Sequence, residues 1–463
     1  MKRIATFVSV IVVLSMLLAA CATPTAAPTT APVVTEAPVA TEAPVATEAP
    51  VVTEAPAGLT CAEPVKIGLI TDLTGALAIY GIMVPRSFML GMEWVTGAAG
   101  TAGDKFDFAT TQENTFKVDN CEITVYVRDD GGLPENTTTI ANELIVVQKV
   151  NLLVGTVSSA NTTVLQGIAA QNQIPLIVAP AAANDITGKD FNEFTFRTSR
   201  NNYQDAINEC TYLVKNYTKL VQIAPDYAFG RGSAAAFRDA CTLFGAEFVA
   251  EDVFPPATTT EFTPYMDPLI ASGAEAYIVT WAGSGFPALA KAAVDSGLND
   301  KMALAATFID NVLMPLWYTD AIGSTNGILY HWTAPDNAAN DFLVEQEVAR
   351  YGVYPDLFDA DGMNAAIMAV EAIKKTNGDV SGAALTAAME GLEFEGPKGT
   401  VYVRPEDHVA IQDMYILKLE NLTDPTQAFY SYVETTRPEP PCLLPETLKD
   451  RCGDLPFGTL SGE

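Results

Sequence analysis

Two adjacent hydroxyl residues, Ser158 and Ser159, follow an apolar run that ends at Gly155, and a helix-compatible segment begins just beyond them. The stretch from Leu152 to Thr163 therefore predicts a strand, a tight turn and the start of a helix. The first backbone N–H groups of a helix have no partners within the helix, and the helix dipole adds partial positive charge there. A small anion can dock at such a junction, although serine and threonine are also ordinary helix caps without any ligand.

The chain carries no motif that indicates catalysis. It contains no Gly-x-Ser-x-Gly sequence, and the glycine-rich stretch Gly283-Ser284-Gly285 lacks the lysine of a phosphate-binding loop. The two histidines, His331 and His408, have no nucleophile motif beside them, so we expect both to be structural. We therefore expect no enzymatic activity and no cofactor.

Length and charge narrow the classes of protein to consider. A chain of 463 residues, 49% of them hydrophobic, is long enough for two or more domains with substantial cores. A net charge of -30 argues against nucleic acid or an anionic membrane surface as a partner. The overall charge does not restrict a small ligand, which meets only local groups.

The N-terminus has the features of an export signal. Lys2 and Arg3 precede an apolar run that ends Leu18-Ala19-Ala20-Cys21. This ending resembles a bacterial lipobox, which implies that residues 1–20 are a signal peptide and that Cys21 carries the lipid. An uncleaved anchor helix and a plain secretory signal are the alternatives. The resemblance implies an extracytoplasmic protein held at the membrane by its N-terminal lipid, in a periplasm or on a cell surface.

Residues 21–61 are predicted to be a linker. The sequence Thr-Glu-Ala-Pro starts at Thr35, Thr41, Thr47 and Thr53, and the repeat offers no large apolar side chain to pack. Repeated proline keeps such a chain extended, and the glutamates repel one another. The linker is thus expected to space a folded body from the membrane, with a glycosylated stalk as the alternative.

From Cys61 onward, short apolar runs alternate with helical patterns, which predicts an α/β fold. Apolar strands that alternate with helices form parallel sheets covered on both faces. About 375 residues follow this alternating pattern, which is more than a single hydrophobic core usually holds together. Two doubly wound domains are therefore expected. The predicted strands are 65–70, 123–127, 151–154, 174–178, 220–223, 247–253, 276–280 and 303–306. The predicted helices between them are 85–95, 137–150, 162–171, 231–243, 263–271 and 287–296.

Six cysteines remain after Cys21, and disulfides are the default in an exported protein. The first two strands of such a sheet are usually neighbours, and one cysteine lies just before each. A structural zinc site is the rival interpretation, but the chain has no Cys-x-x-Cys spacing, so we expect no metal. The predicted pairs are Cys61 with Cys121, Cys210 with Cys241, and Cys442 with Cys452. The last pair lies in a predicted C-terminal extension, residues 436–463, that is rich in cysteine and proline.

Several segments resemble one known family. Lys66 to Gly75, followed by Tyr80-Gly81, is similar to the opening of type I periplasmic solute-binding proteins of the leucine/isoleucine/valine-binding class. Further segments agree in order and spacing from about residue 64 to 420. They are Val127 to Gly131, Val154-Gly155 with Ser158-Ser159, Ile174 to Ala182, Phe196-Arg197-Thr198, Asp226 to Gly230, and Gly399 to Val401 with Glu406 to His408.

The resemblance implies two α/β lobes joined by three hinge crossings, placed near Thr198, Ser324 and Gly399. Residues 62–197 and 325–398 would form lobe 1, and residues 198–324 and 399–435 would form lobe 2. The ligand would lie between the lobes at the strand ends, and closure would couple binding to recognition by the permease of an ABC importer. We expect the protein to be a monomer.

The same resemblance assigns the polar end of the site. Ser159 matches the serine that binds the ligand carboxylate, with Ser158 as the alternative in a shifted register. The turn after the fourth strand matches Ala181, Ala182 and Ala183, whose backbone groups would continue the carboxylate site. Members of the family often have threonine at the third of these positions, so Ala183 leaves one contact missing.

Four rings match positions that face the ligand in this family. Three of them, Tyr80 in the first lobe and Phe229 and Trp281 in the second, match directly, with Ala282 as an alternative to Trp281, and the fourth, Tyr227, lies close to Phe229 in the sequence. Packing in the core is the other interpretation of each ring.

The other end of the ligand is less defined. Amino-acid binders of this class pair the ligand ammonium with an acid after the fourth strand of the second lobe, because a buried charge without a partner is costly. Residues 303–309 contain no acid, and Asp310 is the nearest candidate. A branched-chain amino acid and an aromatic or aliphatic carboxylate are therefore both open, as are short amides and urea. A ligand-sensing receptor subunit is the alternative to transport.

Overall fold

A computed structural model describes residues 58–306 and 310–462 of the chain, apart from the side chain of Ser284. The predicted signal peptide 1–20, Cys21 and the linker before residue 58 lie outside these residues. Within them, no helix combines the length and apolar character that crossing a bilayer requires.

The first part of the chain forms a six-stranded sheet in the order β2-β3-β1-β4-β5-β6. β2 runs antiparallel to β3, and the other neighbours are parallel. The strands are β1 Val65–Thr71, β2 Glu113–Val118, β3 Cys121–Asp129, β4 Leu152–Val154, β5 Leu176–Val178 and β6 Thr195–Arg197. The helices are α1 Ala78–Gly81, α2 Met83–Thr96, α3 Pro134–Asn142 and α4 Ser159–Gln171, with a π-helical turn at Glu143–Gln148 and a 3₁₀ turn at Asn184–Thr187.

The next part forms a second parallel sheet in the order β10-β9-β7-β8. Its strands are β7 Lys219–Ile223, β8 Glu247–Phe248, β9 Ala276–Val279 and β10 Ala303–Ala306, and β11 Thr325–Ile328 follows. The helices are α5 Asn202–Leu213, α6 Ala228–Leu243, α7 Thr263–Ala271, α8 Phe286–Asp295 and α9 Met314–Trp317, with 3₁₀ turns at Gly283–Gly285 and Thr319–Ala321.

The last part of the chain contributes helices and strands to both lobes. Its helices are α10 Ala338–Tyr351, α11 Asp359–Lys375 and α12 Gly382–Met389, and a 3₁₀ turn spans Glu446–Cys452. Its strands are β12 Glu393–Gly396, β13 Gly399–Val403, β14 Ala410–Ile411, β15 Met414–Leu419 and β16 Tyr430–Thr436. α11 packs on α2 of the first lobe, whereas β15 pairs with β11 and β16 beside α5.

Both faces of the first sheet are covered, as continuous apolar strands require. Ile67 and Leu69 of β1 belong to one buried cluster with helix α2, and Ile70 belongs to another with Leu165 of α4. Since the carboxyl ends of parallel strands meet at one edge, the turns after β1, β4 and β5 lie together there. The turns after β7 and β9 occupy the corresponding edge of the second sheet.

The observed strand pairing does not agree with the lobe boundaries predicted at residues 325 and 399. β11 pairs with β15, and β12 pairs with β13, so each boundary would divide a hydrogen-bonded pair. The structure therefore places these two crossings later, after β11 and after β14. The reason is that the sequence does not encode which strands pair.

The three disulfides join the cysteines in the predicted pairs, Cys61–Cys121, Cys210–Cys241 and Cys442–Cys452. The C-terminal extension contacts both lobes. Nη2 of Arg451 donates to Glu390 Oε1 at 2.6 Å, and the Leu460 N–H donates to Asp239 Oδ2 at 2.9 Å.

Candidate ligand-binding site

A cavity lies where the strand ends of the two lobes meet, with about 430 Å³ of empty space that includes its opening to solvent. Turns after β4, β5 and β6 supply its polar wall, and rings from both lobes supply the rest. It is lined by Leu77, Tyr80, Val157, Ser159, Pro180, Ala181, Ala182, Arg200, Tyr227, Phe229, Ala282 and Phe358.

The structure separates the two serines at the start of α4. Ser159 is the first residue of α4, is 4% exposed and lines the cavity. Its hydroxyl oxygen accepts a hydrogen bond from the Ala183 N–H at 3.2 Å. Ser158 is the N-cap residue and lines an adjoining, wider cleft of about 1030 Å³. Ser159 is therefore the serine whose hydroxyl a ligand in the cavity would meet.

The turn after β5 presents backbone donors to the cavity. Ala181 and Ala182 line it, and neither N–H donates a hydrogen bond within the described residues. Ala183 lies outside the lining, and its N–H is bonded to Ser159. An anion at this turn would meet two free N–H groups as well as the start of α4.

Arg197 holds this turn in place from behind. Its guanidinium is fully buried and donates to the carbonyl oxygens of Ala181, at 3.4 Å, and Ala183, at 2.9 Å. The Ala181 carbonyl belongs to the same peptide as the Ala182 N–H, so its bond to Arg197 helps to fix the direction of that N–H. Arg197 does not line the cavity itself.

Arg200 lines the cavity and has no counterpart among the predicted site residues. It is 1% exposed, its Nε donates to Asp205 Oδ1 at 3.1 Å, and its Nη1 donates to the Pro180 carbonyl at 3.0 Å. Its guanidinium carbon lies 5.2 Å from the ring centroid of Phe358. The one sequence signal was its place just after β6, at the same sheet edge as Ser159.

Aromatic rings close the cavity from both lobes. Tyr80 of α1 meets Phe358 edge-on at 5.3 Å, and Tyr227 lies 5.9 Å from Phe229 at the start of α6. Burial raises the pKa values of the Tyr80 and Tyr227 hydroxyls, so both phenols stay protonated at neutral pH. Sequence reasoning missed Phe358, which lies about 280 residues after Tyr80 and carries no motif.

Trp281 lies beside the cavity rather than in its lining. It is 3% exposed, packs edge-on against Phe262 at 4.8 Å and borders the wider cleft with Ser158. Ala282, the alternative at this strand end, lines both spaces.

Asp310 is also absent from the cavity lining. Its Oδ1 accepts hydrogen bonds from the N–H groups of Val312, at 3.1 Å, and Leu313, at 2.8 Å, so it caps the turn that leads to α9. Burial raises the pKa of its carboxyl group. None of the lining residues is an aspartate or a glutamate, and residues 307–309 contain neither.

Both histidines lie away from the cavity. His331 bonds Thr333 and the Gln427 carbonyl, and burial lowers its pKa to about 4. His408 stacks on Phe196 at 3.9 Å and bonds Glu390. Within the part of the chain that the structure describes, no group of three or more His, Cys, Asp or Glu side chains is placed to hold a metal ion.

Known proteins of similar architecture share about a quarter to a third of the aligned sequence. A protein from Rhodopseudomonas palustris described as an ABC-type branched-chain amino acid transporter is 32% identical, with a TM-score of 0.66 over 81% of this chain and 96% of that chain. A solute-binding protein of an ABC transporter from the same species, in complex with 3,4-dihydroxybenzoic acid, is 26% identical with a TM-score of 0.69, over 81% of this chain and 96% of that chain.

Curated relatives agree with the solved structures. The Leu/Ile/Val-binding protein homolog 6 of Brucella melitensis is 26% identical over 382 residues, which is 80% of this chain and 91% of the relative. The family profile described as periplasmic binding protein matches residues 64–424, most of the chain. On this match, and on the two-lobed fold, the chain belongs to the periplasmic binding protein family.

Proposed function

We propose that this protein is the extracytoplasmic solute-binding component of an ABC importer and that its cavity between the lobes binds a small carboxylate. One observation carries the proposal. The Ser159 hydroxyl and the free N–H groups of Ala181 and Ala182 line one wall of a cavity that rings from both lobes enclose.

These donors suit a carboxylate for electrostatic reasons. A carboxylate has two oxygens that each accept several hydrogen bonds, and bonds to a charged acceptor are roughly twice as strong as neutral ones. The N-terminus of α4 adds a favourable dipole at the same place. The faces of the aromatic rings offer few hydrogen-bonding groups to the rest of the ligand, so they favour a ligand with an apolar body.

Transport follows from the family and the predicted N-terminus. Lipid on Cys21 would hold the protein, as a monomer, at the membrane surface. The linker would let the two lobes reach a permease. Both relatives with solved structures are described as proteins of ABC transporters. Closing of the lobes on the ligand would create the surface that a permease recognises.

Isothermal titration of the mature protein tests the site with benzoate, leucine, benzamide and urea as probes. A carboxylate should bind, and Ser159→Ala should weaken its affinity by roughly 10- to 100-fold, the value of one hydrogen bond to a charged group. Ser158→Ala is the matched control, because its side chain borders only the wider cleft. Unchanged affinity in Ser159→Ala, or binding of the amides alone, would contradict the proposal.

A further inference from the structure

Five charged side chains form a buried cluster directly behind the cavity, at the crossings between the lobes. They are Arg197, Arg200, Asp205, Asp361 and Lys398, and each is at most 1% exposed. Asp205 and Asp361 interact electrostatically with all three cations. The cluster therefore holds three cations and two acids.

Among the described residues, the other acids that act on this cluster have partners of their own. Two further acids lie next to the cluster, but each already has a partner: Asp407 pairs with Arg404 at 2.6 Å, and Asp413 pairs with Arg437 at 2.9 Å. Burial lowers the pKa of Lys398 to about 8 and raises that of Asp361 to about 6. The two arginines and Lys398 outnumber Asp205 and Asp361, and a buried cation is costly without an anion beside it.

Arg200 is the one member of this cluster that lines the cavity. Its bonds to Asp205 and to the Pro180 carbonyl fix the guanidinium plane beside the turn that carries Ala181 and Ala182. A guanidinium in a fixed orientation is suited to a carboxylate, which it can bind through two parallel hydrogen bonds.

An ammonium group would find no such partner. The acids that act on Tyr80 are Asp310 and Asp356, and both lie outside the lining. Asp72 borders only the adjoining cleft, where its oxygens accept from backbone N–H groups. The oxygens of Asp356 accept from the N–H groups of Asn311 and Leu357, each at 2.8 Å. An α-amino acid would bury its ammonium among rings and alanines, at a cost that a simple carboxylate avoids.

From this distribution of charge we propose that Arg200 is the counter-ion of the ligand carboxylate and that the ligand is an aromatic monocarboxylate without an ammonium group. The inference rests on the proposed function and specifies its ligand. The rings of Tyr80, Phe229 and Phe358 around the cavity fit a flat aromatic body. The benzoate-type ligand in the relative from Rhodopseudomonas palustris has the same chemistry.

Isothermal titration at pH 7 with benzoate, benzamide and phenylalanine tests the inference. The wild type should bind benzoate ~100-fold more tightly than phenylalanine, because the ammonium group is unpaired. Arg200→Gln should weaken benzoate binding ~10- to 100-fold and leave benzamide binding nearly unchanged. Arg200→Lys keeps the positive charge but loses the planar guanidinium, so its affinity for benzoate should lie between those of the wild type and Arg200→Gln. Arg231→Gln removes an exposed arginine outside the lining and is the matched control.

The outcomes separate the two levels of the proposal. If the wild type binds no carboxylate, the proposed function and the inference both fail. If benzoate binds equally well to wild type and to folded Arg200→Gln, or if phenylalanine or leucine binds more tightly than benzoate, the inference fails and the proposed function stands. Circular dichroism establishes whether each variant is folded. If Arg200→Gln does not fold, Arg200→Lys takes its place, and equal affinity of benzoate for the wild type and Arg200→Lys would overturn the inference.

Discussion

The Tyr80 hydroxyl oxygen accepts a hydrogen bond from the Gly283 N–H at 3.4 Å, although 203 positions separate the two residues. This bond joins α1 of the first lobe to the turn after β9 of the second. It lies at the edge of the cavity that Tyr80 lines, so the same side chain contacts the ligand space and the opposite lobe.

Tyr80→Phe should weaken closure of the lobes on the ligand. The ring stays, but the Gly283 N–H loses its acceptor, which costs about 0.5–1.5 kcal/mol for one hydrogen bond. We expect benzoate affinity to fall several-fold, mainly through faster dissociation, as measured by titration and stopped-flow fluorescence. Tyr432→Phe, at an exposed tyrosine, is the control. Equal dissociation rates for wild type and Tyr80→Phe would contradict this role.

Gly283→Ala should obstruct closure more strongly. Gly283 has a φ of +78°, and a Cβ there would lie 2.7 Å from the Ala76 carbonyl oxygen of the first lobe. Gly103→Ala has a similar φ of +80° but no atom within 4 Å, so it isolates the backbone cost of about 1–2 kcal/mol. Small-angle scattering with saturating ligand should show a larger radius of gyration for Gly283→Ala alone. Equal radii in the two variants would contradict the prediction.

Asp310→Ala should lower stability but leave carboxylate affinity unchanged. Its Oδ1 caps two backbone N–H groups, and losing such a cap costs about 1 kcal/mol. Asp310→Asn keeps an acceptor at this position and is the matched control. Urea unfolding measures the first effect and titration with benzoate the second. A large change in benzoate affinity in Asp310→Asn would place this residue in the site after all.

Glu209 should make stability depend on pH. Burial raises the pKa of its carboxyl from 4.5 to about 8, while its one bond, from the Gly327 N–H, lowers the pKa less. The folded state therefore holds a proton that the unfolded state releases between these values, so the contribution of Glu209 to stability is greatest below pH 4.5 and falls as pH rises to about 8. The slope is at most about 1.4 kcal/mol per pH unit. Glu209→Gln should flatten it in urea unfolding from pH 5 to 8.5, whereas Glu371→Gln on the surface should not.

Removing the disulfides should destabilise the protein in the order of the loops that they close. Cys61–Cys121, Cys210–Cys241 and Cys442–Cys452 close loops of 60, 31 and 10 residues. Loop-closure entropy gives about 4, about 3.5 and about 2.5 kcal/mol respectively. Urea unfolding of the three double-alanine variants measures the series. The reverse order would show that local packing, rather than loop length, dominates.

Local sequence predicted most of the fold because it encodes the period of each element. The predicted strand 65–70 and helix 162–171 lie within the observed Val65–Thr71 and Ser159–Gln171. β2 was not predicted, because this short edge strand contains only two large apolar residues, Phe116 and Val118, and the alternation is too brief to distinguish it from a loop. The predicted helix 137–150 contains the end of α3 and a π-helical turn, and hydrophobic spacing alone did not separate the two.

The sequence by itself determined the order of the elements, the family and the serine at the start of α4, because each of these depends on neighbours along the chain. Only the tertiary structure decided which residues enclose the cavity. Arg200 and Phe358 belong to no motif that points to a ligand, and Asp310 caps backbone N–H groups instead. These choices depend on contacts between segments that lie hundreds of residues apart, as Tyr80 and Gly283 do, and such contacts exist only once both sheets have formed and met.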